Sequence, residues 1–263
     1  MWQVRCAAYG CMLWTVLGLR PALADTFVQT YQAARQEAPG TNQPGGQFSL
    51  YGTEGFDGLP ATGGGGGTSF TTRFGTGGAL TGTYSGAFGI HAADQYGGAG
   101  GKGNYIVTFD RGAGYSLALG HDASIPGFNY FGMALSALDG GNLLDFYRGD
   151  SLVYSYAPSD LIKALGPCPG PYCGNPTQPG QNGGEQYAFV SFFDQTGTFD
   201  RIAFHEGAAF GGGYESDNHT VGYRSTAVLF GVGVPVPEPA SLTLAGMALA
   251  GLGLLRRHLR HKP

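Results

Sequence analysis

The chain has 263 residues with 49 glycines and 42% hydrophobic residues, which excludes a disordered chain, and no three-residue glycine period, which excludes collagen. All 18 acidic residues but only 8 of the 14 basic residues lie between Asp25 and Pro239, so this body has a formal charge of −10. Such a charge argues against binding to nucleic acid or to anionic lipid, and it favours cations as small partners.

The N-terminal segment, residues 1–24, is typical of a secretory signal peptide. It has a basic residue near its start and a mostly apolar stretch over residues 6–19. Ala22 and Ala24 then have the small-x-small spacing of a cleavage site. Signal peptidase is therefore expected to cut after Ala24 and to leave Asp25 as the new N-terminus. A buried N-terminal helix is the alternative interpretation.

Residues 25–234 are predicted to form one extracellular domain. Short segments rich in aromatic and β-branched residues alternate there with turn residues, which predicts strands. The predicted strands are residues 68–74, 104–110, 115–119, 128–138, 143–147, 151–156, 186–193, 199–205 and 220–228. Pro158–Leu165 is predicted as a short helix with Ser159 as its N-cap, and residues 25–37 as a short helix or a strand. The mixed turn lengths favour an all-β, two-sheet antiparallel β-sandwich of jelly-roll type over a propeller.

Catalytic sequence motifs are incomplete in this domain. The glycine-rich segment Gly97–Gly103 lacks the first glycine and the final serine or threonine of a phosphate-binding loop. His205 and Glu206 are not followed by the second histidine of a zinc-protease motif. His219 is expected to be a partly buried hydrogen-bonding residue beside Asp217. The domain is therefore predicted not to be an enzyme, with a secreted hydrolase on the same fold as the alternative.

The cysteines outside the predicted signal peptide are Cys168 and Cys173, in the Pro/Gly-rich segment Gly166–Gly184. An exported protein enters an oxidising compartment, so a disulfide between them is expected. Two thiolates alone are a poor metal site, and their spacing differs from the C-x-x-C spacing of redox motifs. The disulfide is therefore favoured over metal binding and over redox catalysis.

Two clusters of oxygen-bearing side chains are candidates for calcium binding. They are Asp139 with Asn142, and Glu215 with Asp217 and Asn218, where strand alternation would place Glu215 and Asp217 on one face. A simpler interpretation is that Asp139, Asp217 and Asn218 cap turns through backbone amides. A pair of glycosidase carboxylates is a further alternative. No cofactor is expected, with calcium as the one candidate.

The last segment, residues 235–263, has three parts in a fixed order, namely a Pro-Glu-Pro tripeptide, an uncharged stretch and a basic end. These are Pro237, Glu238 and Pro239, then residues 240–255, and then a basic cluster that begins with Arg256 and Arg257. As a helix, the uncharged stretch would be about 24 Å long, which is short for a membrane span. The basic end should stay cytoplasmic, which places the acidic body outside.

This three-part tail resembles the PEP-CTERM sorting signal, which is the tag that exosortase membrane proteases process. The resemblance implies export, transient anchoring in the inner membrane, and cleavage by an exosortase near Pro239. It also implies a Gram-negative bacterium that makes extracellular polysaccharide, with the mature protein at the cell surface or in the extracellular matrix. An ordinary C-terminal membrane anchor is the alternative interpretation.

Short segments of the body also resemble the extracellular domain found in many PEP-CTERM proteins. They are residues 103–109, 130–132, 139–142, 146–147, 199–202 and 213–220. This resemblance implies a sandwich domain of surface proteins without established catalytic residues. The expected role is structural or adhesive in an exopolysaccharide or biofilm setting, with extracellular polysaccharide as a candidate partner. The alternatives are a calcium-dependent glycan-binding module and a secreted glycoside hydrolase.

Overall fold

The computed structural model of the chain describes residues 25–39, 48–63, 67–207, 212–224 and 232–234. These residues form 13 strands, one short α-helix and one 3-10 helix. The strands in chain order are β1 (Phe27–Tyr31), β2 (Phe48–Glu54), β3 (Gly67–Thr72), β4 (Leu80–Ala92), β5 (Asn104–Thr108), β6 (Tyr115–His121), β7 (Tyr130–Leu138), β8 (Asn142–Arg148), β9 (Ser151–Tyr156), β10 (Gln186–Asp194), β11 (Arg201–Glu206), β12 (Tyr214–Arg224) and β13 (Val232–Val234). The α-helix, α1, spans Ser159–Leu165, and the 3-10 helix spans Ala99–Gly101.

The described strands pair only in antiparallel fashion and connect into one nearly closed, barrel-like sheet. Their order is β13-β1-β10-β7-β12-β5-β4-β6-β11-β8-β9, with β2 added to β12 and β3 added to β4. The long strand β4 joins the two halves of this sheet. Its residues 80–86 pair with β6, whereas its residues 89–92 pair with β5. One strand therefore carries the sheet from one half into the other.

The all-β prediction is confirmed, but a jelly-roll sandwich is not, because β4 makes the two halves one continuous sheet. Residues 25–37 contain the strand β1 rather than a helix. The helix α1 forms as predicted, with Pro158 rather than Ser159 at its N-cap. The two predicted terminal helices, in the signal peptide and in the C-terminal tail, lie outside the described residues.

The strands β1 and β13 bring the two ends of the domain together. β1 pairs with β10 on one side and with β13 on the other, and Gln29 lies opposite Val234. Just before β1, the Asp25 carboxylate accepts a charged hydrogen bond from the Arg148 guanidinium of β8. The residues that follow the predicted signal-peptidase site are therefore held in two ways: β1 pairs with β10 and β13, and Asp25 binds Arg148 on β8, in the other half of the sheet.

The interior consists mainly of aromatic rings, which connect the two halves of the sheet. The ring centre of Phe131 on β7 lies 6.1 Å from that of Phe146 on β8 and 5.8 Å from that of Phe204 on β11. Phe204 also stacks on the His219 imidazole of β12 at 5.0 Å, with the ring planes 3° apart. All four rings are buried. Burial of one Phe side chain contributes about 1.5–3 kcal/mol to stability, so these rings hold the halves together.

Hydrogen bonds between buried side chains cross this aromatic core. Tyr84 Oη lies 2.9 Å from His219 Nδ1, and His219 Nε2 lies 3.0 Å from Ser216 Oγ. Ser216 Oγ is in turn 3.3 Å from Tyr115 Oη. Burial lowers the pKa of His219 to about 3, so its imidazole is neutral. His219 is thus fully buried and bonds to Tyr84 and Ser216, which corrects the prediction of a partly buried residue beside Asp217.

A β-bulge explains how Ser216 and His219 reach the same face of β12. Residues three apart on a regular strand point to opposite faces of the sheet. The pairing of β12 with β7 shifts register between Asp217 and Thr220, and Asn218 in this interval has φ of +50°. The bulge turns His219 towards the core. The hydrogen bond between His219 and Ser216 therefore depends on this local irregularity.

Tyr84→Phe is expected to lower the free energy of unfolding by about 2 kcal/mol, because His219 Nδ1 would lose its partner inside the core. Urea unfolding followed by intrinsic fluorescence would measure the change. Tyr51→Phe is the matched control, since it removes a hydroxyl from an exposed ring and should change stability by less than about 0.5 kcal/mol. Equal stability of Tyr84→Phe and the unmodified protein would contradict the role given to this hydrogen bond.

Candidate binding cleft

An open cleft of about 500 Å³ lies among the loops that follow β4, β5 and β7 and precede β10 and β12. Its wall combines carboxyl groups with aromatic rings. The carboxyl groups are those of Asp94, Asp139, Glu185 and Glu215, and the rings are those of His91, Tyr96, Tyr105 and Phe109. No lysine or arginine belongs to the lining that the described residues form. We call this site the acidic cleft.

Glu215 is the most enclosed carboxyl group of the acidic cleft. It lies at the start of β12, opposite Ser136 of β7, and only 6% of its surface is exposed. Burial raises its pKa to about 8, and the nearby charges of Glu206, Glu185 and Asp139 act in the same direction, against a hydrogen bond from its own amide. No other described residue donates a hydrogen bond to this carboxyl group. Glu215 is therefore a buried acid that faces the cleft and has no cationic partner among the described residues.

Glu206, the last residue of β11, lies close to Glu215 and to Asp139. It is 1% exposed, and within the described residues neither of its carboxyl oxygens has a hydrogen-bond partner of normal geometry. Burial raises its pKa to about 7, the charge of Asp139 adds to this effect, and Arg111 and the amide of Gly212 oppose it. Burying a carboxylate without such partners is costly. The carboxyl groups of Glu206, Glu215 and Asp139 thus lie near one another, with few described groups that would offset their negative charge.

Asp94 shapes the rim of the acidic cleft. Its Oδ1 accepts hydrogen bonds from the Tyr96 amide at 2.8 Å, from the Gly97 amide at 3.2 Å and from Tyr105 Oη at 3.1 Å. These bonds hold the loop after β4 in place. Tyr96 is 43% exposed on this rim, and Phe109 is 52% exposed after β5. Exposed rings and carboxyl groups therefore share one cleft.

The predicted calcium ligands separate into two places. Asp139 and Glu215 line the acidic cleft. Asp139 also takes part in a turn with Asn142: its carboxylate accepts a hydrogen bond from the Gly141 amide at 2.6 Å, and its own amide donates to Asn142 Oδ1 at 2.8 Å. Asp217 and Asn218 instead hold neighbouring loops. The Asp217 carboxyl accepts from the amides of Ala99 at 2.7 Å and Asn218 at 2.6 Å, and Asn218 Nδ2 donates to the Glu37 carbonyl at 2.8 Å.

These contacts agree with turn and loop capping by the predicted calcium ligands. Across the described parts of the chain, no group of three or more His, Cys, Asp or Glu side chains is arranged to hold a metal ion. The side-chain amide groups of Asn142 and Asn218 each donate a hydrogen bond to a backbone carbonyl. Calcium binding by these residues stays a prediction.

The remaining predicted site residues fall into two groups. Cys168 and Cys173 are joined by a disulfide with their Cα atoms 5.6 Å apart, and Cys173 forms a β-bridge with Gln186 at the start of β10. The residues of the two processing signals lie outside the described residues, apart from Asp25. They are Ala22, Ala24, Pro237, Glu238, Pro239, Arg256 and Arg257. Among the helices that the structure describes, none is long and apolar enough to cross a membrane.

A second cleft, of about 360 Å³, is lined by two arginines. Arg148 already pairs with Asp25 and with Asp194, whose Oδ2 lies 3.4 Å from Arg148 Nη2. The Arg224 guanidinium lies over the Phe48 ring, with its central carbon 4.8 Å from the ring centre. Both guanidinium groups are therefore engaged in holding the fold, and the acidic cleft is the better candidate site.

Sequence reasoning missed Glu206 as a buried acid next to the site, although the signal was present. Ile202, Phe204 and Glu206 alternate along β11 and share its buried face. An acid in phase with buried apolar residues predicts a buried carboxyl group. Sequence reasoning also missed the contact of Ser216 with His219, which has the spacing of a nucleophile and its base. Both residues are fully buried, so no substrate reaches them.

Residues 235–257 match the family of the PEP-CTERM protein-sorting motif. The matched residues include the Pro237-Glu238-Pro239 tripeptide, the uncharged stretch, and the basic pair Arg256 and Arg257. No curated protein and no solved structure matches the chain. The match confirms the resemblance of the tail, and it carries with it export and processing by an exosortase. The chain therefore carries a PEP-CTERM sorting signal at residues 235–257, which implies export, processing by an exosortase, and sorting in association with the membrane to the cell surface.

Proposed function

We propose that this exported protein is a non-enzymatic component of the cell surface or extracellular matrix that binds extracellular polysaccharide in the acidic cleft. The observation that carries the proposal is the presence of two exposed rings, Phe109 and Tyr96, beside carboxyl groups in one open cleft. The apolar face of a sugar packs on an aromatic ring, and its hydroxyl groups donate hydrogen bonds to carboxylates. In this role the protein is structural or adhesive in the matrix of a Gram-negative bacterium.

The dimensions of the cleft also support this proposal. Ligand sites commonly measure about 300–1,000 Å³ and combine apolar walls with a few polar groups. At about 500 Å³, the acidic cleft has this size and this mixture of groups. Because the cleft is open, it is suited to part of a long chain molecule rather than to a fully enclosed small ligand.

Phe109→Ala is expected to weaken polysaccharide binding by about tenfold, because it removes the most exposed ring of the cleft. Co-sedimentation of the purified full chain with extracellular polysaccharides of differing composition would identify a binder, and calorimetry would give the affinity. Leu152→Ala is the matched control, since Leu152 is an equally exposed apolar residue on β9, outside the cleft. Binding that is absent, or that falls equally in both variants, would contradict the proposed site.

Hydrolysis of the glycan is the second candidate function, because one observation favours it. A general acid must be protonated at the working pH, and the raised pKa of Glu215, about 8, meets this requirement in a cleft that also contains Asp139. Release of reducing ends from bound polysaccharide would reveal hydrolysis, and Glu215→Gln should abolish it. Such a release would contradict the non-enzymatic proposal, while binding without release would support it.

A further inference from the structure

We propose that the acidic cleft selects a cationic glycan, in which the sugar rings carry protonated primary amines, over the neutral and the anionic forms of the same polymer. This inference rests on the proposed polysaccharide binding and names the chemical class of its ligand. It is carried by the charge of the lining, by the enclosed carboxyl group of Glu215, and by the aromatic rim.

The lining gives the cleft one sign of charge. Its described residues include four carboxyl groups and no lysine or arginine. Walls that carry one sign of charge focus the electrostatic potential inside a cleft and concentrate ligands of the opposite sign. The surrounding body reinforces this effect, since the chain between Asp25 and Pro239 has a formal charge of −10. An anionic polymer would be repelled by both.

Glu215 provides an independent indication of a cationic ligand. Only 6% of the surface of this residue is exposed, its side chain faces the cleft, and no other described residue donates a hydrogen bond to its carboxyl group. A side chain on Gly213 would collide with the Glu215 carboxylate, so this glycine leaves room for the carboxyl group at the cleft wall. Buried carboxylates in proteins are normally paired with a cation. An ammonium group of the ligand would supply both the charge and the N–H donors.

The cleft fits an organic ammonium group better than a metal ion. Calcium requires six to eight oxygen ligands around one point. The carboxyl groups of the cleft come from three separate loops and from the strand β12, and no described set of three or more is arranged around a metal. The exposed faces of Phe109 and Tyr96 attract ammonium groups and the C–H groups of a sugar ring. Carboxylates together with aromatic faces are therefore matched to an amino sugar.

Calorimetry on the full chain would test the inference with two probes of equal length, a hexamer of glucosamine and a hexamer of N-acetylglucosamine. The glucosamine hexamer is expected to bind at least about tenfold more tightly, because only its amines are charged. Glu215→Gln should reduce this preference to about threefold or less. Asp150→Asn is the matched control, since it removes an exposed charge at the β8–β9 turn, and it should keep the preference.

Each other outcome has a definite meaning. Equal binding of the two hexamers, or tighter binding of the acetylated one, would overturn the cationic preference and leave polysaccharide binding in place. If neither hexamer and no polysaccharide binds, the proposed function fails as well. Displacement of the glucosamine hexamer by micromolar calcium would make the cleft a metal site and overturn the inference. If Glu215→Gln does not fold by circular dichroism, Asp139→Asn takes its place, and an unchanged preference there would count against the proposal.

Discussion

Glu238→Ala is expected to keep the protein in the membrane with its C-terminal sorting signal uncleaved, and to abolish its release in processed form. Glu238 is the only acidic residue after Asp217, so the substitution removes the one negative charge of the sorting signal. Loss of a hydrogen bond to a charged group costs about 1.5–3 kcal/mol, which corresponds to roughly ten- to a hundredfold in recognition. Fractionation of cells that contain an exosortase, followed by mass measurement of the protein, would show the result.

Pro235→Ala is a suitable control for this sorting experiment. It lies within the matched motif region but outside the Pro237-Glu238-Pro239 tripeptide, so release should continue. An unchanged mass and unchanged release of Glu238→Ala would show that the tripeptide carboxylate is not required. Retention of both variants would instead indicate that the whole segment, rather than its charge, is recognised.

The free energy of unfolding is expected to fall by roughly 3 kcal/mol between pH 6.5 and pH 8.5. Folding raises the pKa of Glu215 to about 8 and those of Glu206 and Asp217 to about 7, in each case chiefly through burial. Between their ordinary pKa values and these raised ones, the folded protein binds more protons than the unfolded chain does. Stability therefore decreases as pH rises through this range, by about 1.4 kcal/mol per group and pH unit.

His219 has the opposite effect, but at lower pH. Its pKa of about 3 in the folded protein lies below the usual value of 6.5, so its contribution to stability is complete above pH 6.5 and is lost as pH falls. Above pH 6.5 the unfolded chain loses the remaining proton of this imidazole, which is a small effect, so the three carboxyl groups dominate the change of stability with pH. Urea unfolding at pH 6.5, 7.5 and 8.5 would therefore isolate their contribution.

Glu215→Gln should remove roughly 2 kcal/mol of this pH dependence, since the amide cannot ionise while Glu206 and Asp217 still titrate. Asp150→Asn, at the exposed turn between β8 and β9, should leave the pH dependence as it is. A stability that is constant, or that rises, from pH 6.5 to pH 8.5 would mean that the buried acids are paired in the folded protein with groups that compensate them.

The local parts of the fold could be predicted from the sequence, and the closure of the sheet could not. Strands with alternating or aromatic residues, such as β10 and β11, lie close to their predicted positions. The longest strand, β4, was missed because its glycines, serines and threonines are also typical of loops. Its passage between the two halves depends on pairings between residues far apart in the chain, which no local pattern reveals.

The candidate site was predictable only in part for the same reason. Asp139 and Glu215 were singled out as oxygen ligands, but their meeting in one cleft depends on the pairing of β12 with β7. The bulge at Asn218 makes the side chains of Asp217 and His219 point in different directions, and it has no signature in a single sequence. By contrast, the sorting signal is a linear motif, and the family match over residues 235–257 confirms its prediction.

The pairing of β1 with β13 has a consequence for the order of maturation. Because these strands are antiparallel neighbours with Gln29 opposite Val234, the chain enters β1 and leaves β13 at the same side of the domain. The predicted signal-peptidase site and the exosortase-processed segment thus flank one corner of the folded domain. A domain suspended from the membrane by this corner can complete its sheet while either tether remains, so neither cut has to wait for the other.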